Sequence, residues 1–356
     1  MNRMAKVRPL FPPASFSAVD PRKGRWLAAL LLGLCLPLWA AAQVGAAAAP
    51  TSLRTITNPD EVWLMTTEER ARCYPLRLEG RVNFFDPMWG NLWFEHEGVG
   101  RFVHLGSKPP LMRNGQRVLI EGTYVPVEGL DAGRVQVTVL KDFEPIEPVS
   151  TAGRISEVRL FDRKVVTLEG YVDEQQLMDS QHLRLMLIVE DRRVICWVPP
   201  EPHRALPDWQ RHFIRVTAVY SGRLDATGTD STVELWTARQ ADLVELGTIE
   251  ADPQFVRPPV AIGSLSETPP GTEVLVRGTI QRRESGAQIV LRDSTGEVTV
   301  NSLQRERFPA GVEVEAVGRT GISGSRWVIE SGLVRQASTV AHAPSRPRRG
   351  RCRGWS

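Results

Sequence analysis

The stretch "LRLEGRVNFF", residues 76–85, alternates apolar and polar side chains and then places Gly80 where the alternation calls for a core side chain. A period of two predicts a β-strand with one buried face. A glycine in the middle of such a face is typical of a bulge or a sharp bend. We therefore expect a strand that bends midway, as strands do in small, tightly coiled sheets.

The same pattern occurs twice more, with Gly170 in "VTLEGYV" (166–172) and Gly278 in "VLVRGTI" (274–280). Each copy begins a series of five strand-like runs that Gly, Asn or Asp turn signals separate. A longer connection joins the third run to the fourth. Five short strands with a bent first strand predict a Greek-key barrel of the OB type. The sequence thus predicts an all-β protein with three tandem five-stranded OB-like barrels, in which the three glycines have a structural role.

Proline-bearing linkers at 144–153 and 247–259 separate the repeats and predict joints of limited freedom. Ahead of the first strand, Thr66 followed by Glu69 has the spacing of a capping box and predicts a short helix. The predicted segments are a signal peptide and linker (1–50), three OB-like modules (51–148, 149–250 and 251–338) and a basic disordered tail (339–356).

The N-terminal segment has the features of an export signal. Basic residues precede an apolar stretch, Trp26–Ala42, which ends in three alanines of the size that a signal peptidase needs. The protein is therefore expected to be periplasmic or secreted. At about 17 residues the stretch is also near the length that spans a bilayer. The alternative is an uncleaved anchor in the inner membrane, which would be the protein's only contact with a membrane.

The charge distribution disfavours nucleic acid as a partner. Residues 51–338 hold 33 Lys or Arg and 40 Asp or Glu, a formal charge of −7, although the whole chain has a charge of +3. An acidic body repels phosphates, and affinity for nucleic acid depends largely on neutralising them. The composition of the Arg-rich tail is typical of solvated, disordered chain termini.

No motif predicts catalysis or a cofactor: the chain has no nucleophile elbow and no phosphate-binding glycine loop. His96 and His104 should share one face of a hairpin, but they lie a diagonal step apart and no third ligand has suitable spacing, so no metal site is predicted. Cys73 and Cys196 are scattered. We expect two unpaired buried thiols, with a single bridge between them as the alternative.

The most unusual stretch is "NFFDPMWGNLWFEHEGVGRFVHL", residues 83–105. On regular alternation Phe85 lies on the face opposite Phe84, and Trp89 falls in a turn. An exposed aromatic edge can contact a ligand or a protein. The alternative is that these rings close the open end of a small barrel. The candidate ligand-binding residues are Phe85, Trp89, Trp93, His96 and His104.

The first module resembles the OB-like extracytoplasmic input modules that precede the transmembrane helix in some bacterial sensor histidine kinases. The matching positions form a lead-in, a strand and a glycine-turned hairpin: Asp60, Glu61, Val62, Glu68, Glu69 and Ala71; Pro75, Leu76, Leu78, Gly80 and Val82; Phe94, Gly98, Gly100 and Val103. The second and third modules echo the pattern. Glu95 and His96 replace the Gln-Asp pair usual in that hairpin. Residues of the kinase part are missing, so the resemblance implies an input region, either alone or truncated, and no kinase activity.

The sequence as a whole predicts a non-catalytic extracytoplasmic protein that senses, or binds a ligand or protein. The expected partner is a small molecule, a glycan or a protein. The alternative is an exported OB-fold protein that binds carbohydrate or single-stranded nucleic acid.

Overall fold

The computed structural model describes residues 54–105, 110–125, 129–130, 135–203, 205–225, 228, 231–283 and 288–337. The predicted signal peptide and basic tail lie outside these residues. The described part is built mainly of strands, with a few single-turn helices, so the predicted all-β class is confirmed. None of the helices in these ranges is long and apolar enough to cross a membrane.

The first module begins with two helical turns, α1 (Glu61–Leu64) and α2 (Thr67–Arg70). The predicted capping box at α2 is confirmed. The hydroxyl of Thr66 accepts the backbone N–H of Glu69 at 3.2 Å, and the Glu69 carboxylate accepts the N–H of Thr66 at 2.8 Å.

The first module continues as a six-stranded sheet in which the order is β3-β2-β1-β4-β5, with β6 also paired to β4. The strands are β1 (Tyr74–Asp86), β2 (Asn91–His96), β3 (Val99–His104), β4 (Arg117–Val125), β5 (Gly129–Leu130) and β6 (Gln136–Lys141). Over the described residues this sheet is open, so the closed first barrel that the sequence predicts stays a prediction.

The second module is a closed barrel. Its elements are β7 (Val149–Ser150), α3 (Val158–Phe161), β8 (Val165–Leu177), β9 (Leu183–Val189), β10 (Arg192–Val198), β11 (His212–Leu224), β12 (Ser231–Trp236) and β13 (Leu243–Thr248). Five strands follow the order β8-β9-β10-β12-β11, and β11 pairs again with β8. The only parallel pair in this ring joins β10 to β12.

The third module closes in the same way, in the order β14-β15-β16-β18-β17. Its strands are β14 (Glu273–Arg283), β15 (Gln288–Arg292), β16 (Glu297–Asn301), β17 (Glu313–Ser323) and β18 (Arg326–Gln336). Short 3₁₀ turns at Gln240–Asp242, Ile249–Ala251, Pro253–Val256 and Ile262–Glu267 end the second module and lead into the third. In both closed barrels the first strand pairs with the second and the fourth, and the third runs parallel to the fifth, as in OB-type Greek keys.

The glycine in each first strand marks a close approach between backbones. A Cβ added to Gly80 would lie 2.4 Å from a ring carbon of Phe94 and 2.6 Å from the carbonyl oxygen of Glu95. A Cβ added to Gly278 would lie 2.8 Å from the carbonyl oxygen of Arg292. The neighbouring strand therefore crosses so tightly that only hydrogen fits at these positions.

A β-bulge follows each of these glycines at the same distance along the strand. The register shifts between Val82 and Phe84, between Val172 and Glu174, and between Ile280 and Arg282. The unpaired residues are Asn83, Asp173 and Gln281. A bulge bends its strand and increases the local twist. The bend that the sequence predicts is confirmed, and it is built from a glycine and a bulge together.

Each module has its own apolar core, and two further clusters of buried side chains lie between modules. One, between the first and second modules, includes Phe84, Trp93, Val219 and Trp236. The other, between the second and third modules, includes Tyr171, Ile188, Phe255, Leu275 and Val317. Buried apolar side chains therefore join neighbouring modules at both boundaries.

Candidate functional site

The structure separates the five candidate residues of the first module. Phe85 is only 8 % exposed and packs in the core of its own module. The ring nitrogen Nδ1 of His96 donates to the carbonyl oxygen of Glu79 at 2.6 Å, whereas His104 is exposed beside Asn91. Only Trp89 and Trp93 lie together. The five side chains do not form one ligand-binding face.

The bulge explains why Phe85 lies inside. Regular alternation from Val82 would turn Phe84 toward the core and Phe85 outward. The extra residue, Asn83, reverses the phase, so that Phe85 enters the core and Phe84 faces the second module.

Trp89 and Trp93 belong to a group of rings between the first two modules, here called the boundary cluster. The first module contributes Phe84, Trp89, Trp93 and Phe102, and the second contributes Trp197 and Trp236. The Trp93 and Trp236 ring centroids lie 5.1 Å apart, and those of Trp197 and Trp236 5.6 Å apart. These rings pack mainly against one another across the module boundary. Trp89, at 36 % exposed, is the most solvent-exposed ring of the cluster.

A buried histidine lies under Trp89. The His182 ring, in the segment between β8 and β9, stacks on the Trp89 indole with a centroid distance of 3.9 Å and an interplanar angle of 15°. Its Nε2 lies 3.0 Å from Asp86 Oδ2 in the first module, and its Nδ1 lies 2.9 Å from Asp179 Oδ2. Burial lowers the pKa of His182, but the bonds and charges of the two carboxylates together raise it by more, so the net pKa is above its ordinary value.

Hydrogen bonds fix the second module to the third. The buried carboxylate of Asp173, the bulge residue of β8, accepts the backbone N–H of Arg305 at 3.0 Å and a guanidinium N–H of Arg193 at 2.6 Å. The Gln304 amide donates to the Tyr171 hydroxyl at 3.2 Å. These contacts hold the two barrels in one arrangement and so define the space between them.

That space contains an open groove of about 960 Å³, here called the acidic groove. Apolar side chains of both barrels contribute to its surface: Tyr171, Ile188, Phe213 and Leu333. Six acidic residues line it: Glu169, Glu190, Asp191, Asp252, Glu273 and Glu330. Among the described residues that line it, Arg319 is the only basic one. An apolar floor with a negatively charged rim favours a ligand that has both a positive charge and an apolar part.

The floor of the acidic groove is electrically neutral. Burial raises the pKa of Tyr171 to about 12, so its hydroxyl stays protonated at physiological pH. Glu169 pairs with Arg215 at 2.7 Å, Glu273 with Arg257 at 2.9 Å and Asp191 with Arg192 at 4.0 Å, which offsets part of the charge on the rim. The remaining three carboxylates outnumber the single lining arginine, so the groove keeps a net negative charge.

Sequence reasoning missed both His182 and the acidic groove, although a pattern for the groove was present. In "VTLEGYV" Tyr171 occupies an outward position of a strand, where a polar side chain is expected, and Phe213 and Ile188 pair with it on the neighbouring strands. Large apolar residues on the outer face of a barrel indicate contact with another module. No comparable pattern points to His182, which lies in a connecting segment.

The described residues contain no group of three or more His, Cys, Asp or Glu side chains arranged to hold a metal ion. The two cysteines of the described part are unpaired, with Cys196 buried and Cys73 exposed. The expectation of unpaired thiols is therefore confirmed, and the expectation that Cys73 is buried is wrong. Cys73 lies just before β1, where the chain is still outside the sheet.

No protein-family model and no curated protein matches the chain. Among solved structures, the hypothetical protein ygiW from E. coli is similar at 21 % identity, over 23 % of this chain and 92 % of its own, with a TM-score of 0.21. The telomere capping protein Ten1 from Saccharomyces pombe is similar at 19 % identity, over 23 % of this chain and 82 % of its own, with a TM-score of 0.20. A murine DNA-binding protein bound to double-stranded DNA is similar at 14 % identity, over 48 % of this chain and 96 % of its own, with a TM-score of 0.21.

Proposed function

We propose that this chain is a non-catalytic, extracytoplasmic binding protein and that the acidic groove holds its ligand. The observation that supports this proposal is the groove itself, a space of about 960 Å³ with an apolar floor and six acidic residues against one arginine. Two barrels that are hydrogen-bonded to each other form it, so the site is pre-organised. Pre-organised concave sites with a few polar groups are where proteins commonly bind ligands.

The ligand class follows from the lining. Carboxylates at the rim attract ammonium or guanidinium groups of a ligand. The floor of Tyr171, Phe213 and Leu333 favours an apolar part of the same ligand, between its positively charged groups. An extended peptide that alternates basic and apolar residues combines both, since its side chains point to opposite sides in turn. We therefore propose a basic, partly apolar peptide segment as the ligand.

The sensory role and the extracytoplasmic location are part of the same proposal. They are supported by the export-signal features of residues 1–50 and by the resemblance of residues 55–336 to input modules of sensor kinases. Location is tested by fusing residues 1–60 to alkaline phosphatase, which is active only after export. Absence of phosphatase activity, with the fusion protein present in the cytoplasm, would contradict the proposed location.

Binding is tested by fluorescence anisotropy with a fluorescein-labelled decapeptide that alternates Lys and Phe. The double variant Asp191→Asn/Glu330→Gln should bind this probe about tenfold more weakly, because two rim charges are lost at about 0.5–1 kcal/mol each. The matched control is Glu121→Gln, an exposed carboxylate of the first module, which should leave the affinity unchanged.

A labelled single-stranded oligonucleotide serves as the competing probe. We expect weaker binding of the oligonucleotide than of the decapeptide, because the groove is negatively charged. Tighter binding of the oligonucleotide, unaffected by the double variant, would overturn the proposed ligand class and favour nucleic acid. Equal weakening by Glu121→Gln would show that the decapeptide responds only to the overall charge.

A further inference from the structure

The pair of carboxylates around His182 determines its protonation state. Both ring nitrogens face carboxylate oxygens, Nε2 toward Asp86 and Nδ1 toward Asp179, at 3.0 and 2.9 Å. A neutral imidazole has a single N–H and can donate to only one of them. Two donated bonds require the imidazolium. His182 and Asp86 are almost fully buried, so the bond between them is shielded from water, whereas the Asp179 side chain is 33 % exposed.

The same carboxylate also shapes the turn that holds Trp89. Asp86 ends β1, and its second oxygen, Oδ1, accepts the backbone N–H of Met88 at 2.9 Å and of Trp89 at 3.1 Å. This turn presents the indole to the His182 ring, on which it stacks. A positively charged ring under an indole adds a cation–π attraction. His182 therefore contacts both the carboxylate that fixes the turn and the tryptophan that the turn carries.

We propose that the proton on His182 locks the first module onto the second, and that its loss releases the Trp89 turn and opens the boundary cluster to solvent. With the proton gone, one of the two carboxylates faces a nitrogen lone pair instead of an N–H. That contact is repulsive and one charge-assisted hydrogen bond is lost whichever carboxylate it is, so the Asp179–His182–Asp86 connection between the two modules weakens. The module boundary thus becomes a proton-responsive joint.

The direction of the pH response follows from the charged groups at the boundary. Asp86 on β1 and Asp179 on the segment before β9 are the charged groups that face the His182 ring, while Trp89 and Trp197 pack against it as uncharged rings. The pKa of His182 is raised. Its stabilising contribution is therefore complete below the unfolded value of about 6.5 and is lost as the pH rises through the higher folded value.

Other charged groups also lie at this boundary. Asp60 lies 4.0 Å from Arg163 across it. Glu234, which accepts a bond from the Trp197 indole, has a pKa raised by burial from the ordinary carboxylate value. Stability that depends on protonated Glu234 is also lost as the pH rises, so the variant His182→Gln, and not the direction of the response alone, identifies the histidine.

The test is hydrogen exchange of the full chain between pH 6 and 9, read by mass spectrometry. Protection of peptides spanning residues 86–93, corrected for intrinsic exchange and normalised to the β14–β18 barrel, should fall as the pH rises. The fall should be about tenfold for each unit by which the pKa of His182 exceeds its ordinary value. In His182→Gln, which cannot be protonated, protection should be low and independent of pH, whereas His104→Gln, an exposed control, should behave as the wild type.

A second measurement reads the ionisation of His182 in the wild-type protein, and the variant serves only to assign the resonance. Carbon-13-labelled histidine in the wild-type protein reports by NMR the ionisation of each of its six histidines. One resonance should titrate above pH 6.5 and be absent from His182→Gln. A His182 that is neutral at pH 6.5 in the folded protein, or a pH-dependent loss of protection that persists in His182→Gln, would overturn the proposal.

Discussion

Replacing Gly278 with alanine should destabilise the third module. The added Cβ would lie 2.8 Å from the carbonyl oxygen of Arg292 and 3.1 Å from its carbonyl carbon. Both are backbone atoms of the paired strand β15, so neither can rotate away as a side chain would. The strands must separate locally, next to the bulge at Gln281 on which the closure of the barrel depends.

The expected loss is the difference between two effects. Overpacking a closely packed site costs about 1–3 kcal/mol. Alanine also lowers the conformational entropy of the unfolded chain, which raises the free energy of unfolding by about 0.4–1 kcal/mol. This gain applies at Gly278 because its backbone is not in the left-handed region. The net destabilisation is then about 1–2 kcal/mol. For a module of this size, each kcal/mol corresponds to a decrease in melting temperature of about 4–8 °C.

Hydrogen exchange is the appropriate assay because it reads each module separately. Protection of β14–β18 should fall in Gly278→Ala, while protection of the barrel formed by β8–β12 changes less. The matched control is Gly296→Ala in the same module, where the nearest atom to an added Cβ is a methyl of Ile262 at an ordinary 3.5 Å. Equal protection of the third module in the two variants would refute the reasoning that Gly278 is required by the close approach of β15.

Two further changes test the joints and the thiols. Arg335→Ala should destabilise the third module by about 3–5 kcal/mol in urea unfolding, because its removal leaves the nearly buried carboxylate of Glu315 unpaired. Arg335 donates to that carboxylate at 2.8 Å and to the carbonyl oxygen of Glu250 at 2.6 Å. A loss as small as that in Arg257→Ala, which removes a more exposed ion pair, would contradict this prediction. A maleimide should label Cys73 in the native protein and Cys196 only after unfolding, as mapped by peptide mass spectrometry. Cys196 is buried, and burial also raises the pKa of its thiol. Rapid labelling of Cys196 in the native protein would show that the second barrel is open.

Much of the fold could be predicted because its determinants are local. The alternation around Gly80, Gly170 and Gly278 is a property of single strands, and the capping box at Thr66 and Glu69 spans four residues. Closure of a barrel depends instead on pairing between distant strands, such as β8 with β11. The turn signals and their order were sufficient to predict that pairing in the second and third modules.

The candidate sites were harder to predict for two physical reasons. A bulge reverses the alternation of a strand, so the faces of Phe84 and Phe85 could not be assigned without knowing where the extra residue lies. His182 and Asp86 are 96 positions apart in the sequence, and the segment that contains His182 has no motif. The acidic groove likewise exists only between two barrels, so no single repeat contains it.

The bulge in β8 links the shape of one barrel to the position of the next. Its extra residue, Asp173, is there because the strand must bend, and its carboxylate accepts the backbone N–H of Arg305 from the third module. Deleting Asp173 would therefore straighten the strand and remove the acceptor for the neighbouring module in one step. A change at this one position would therefore alter both the curvature of the second barrel and its contact with the third, and with them the walls of the acidic groove.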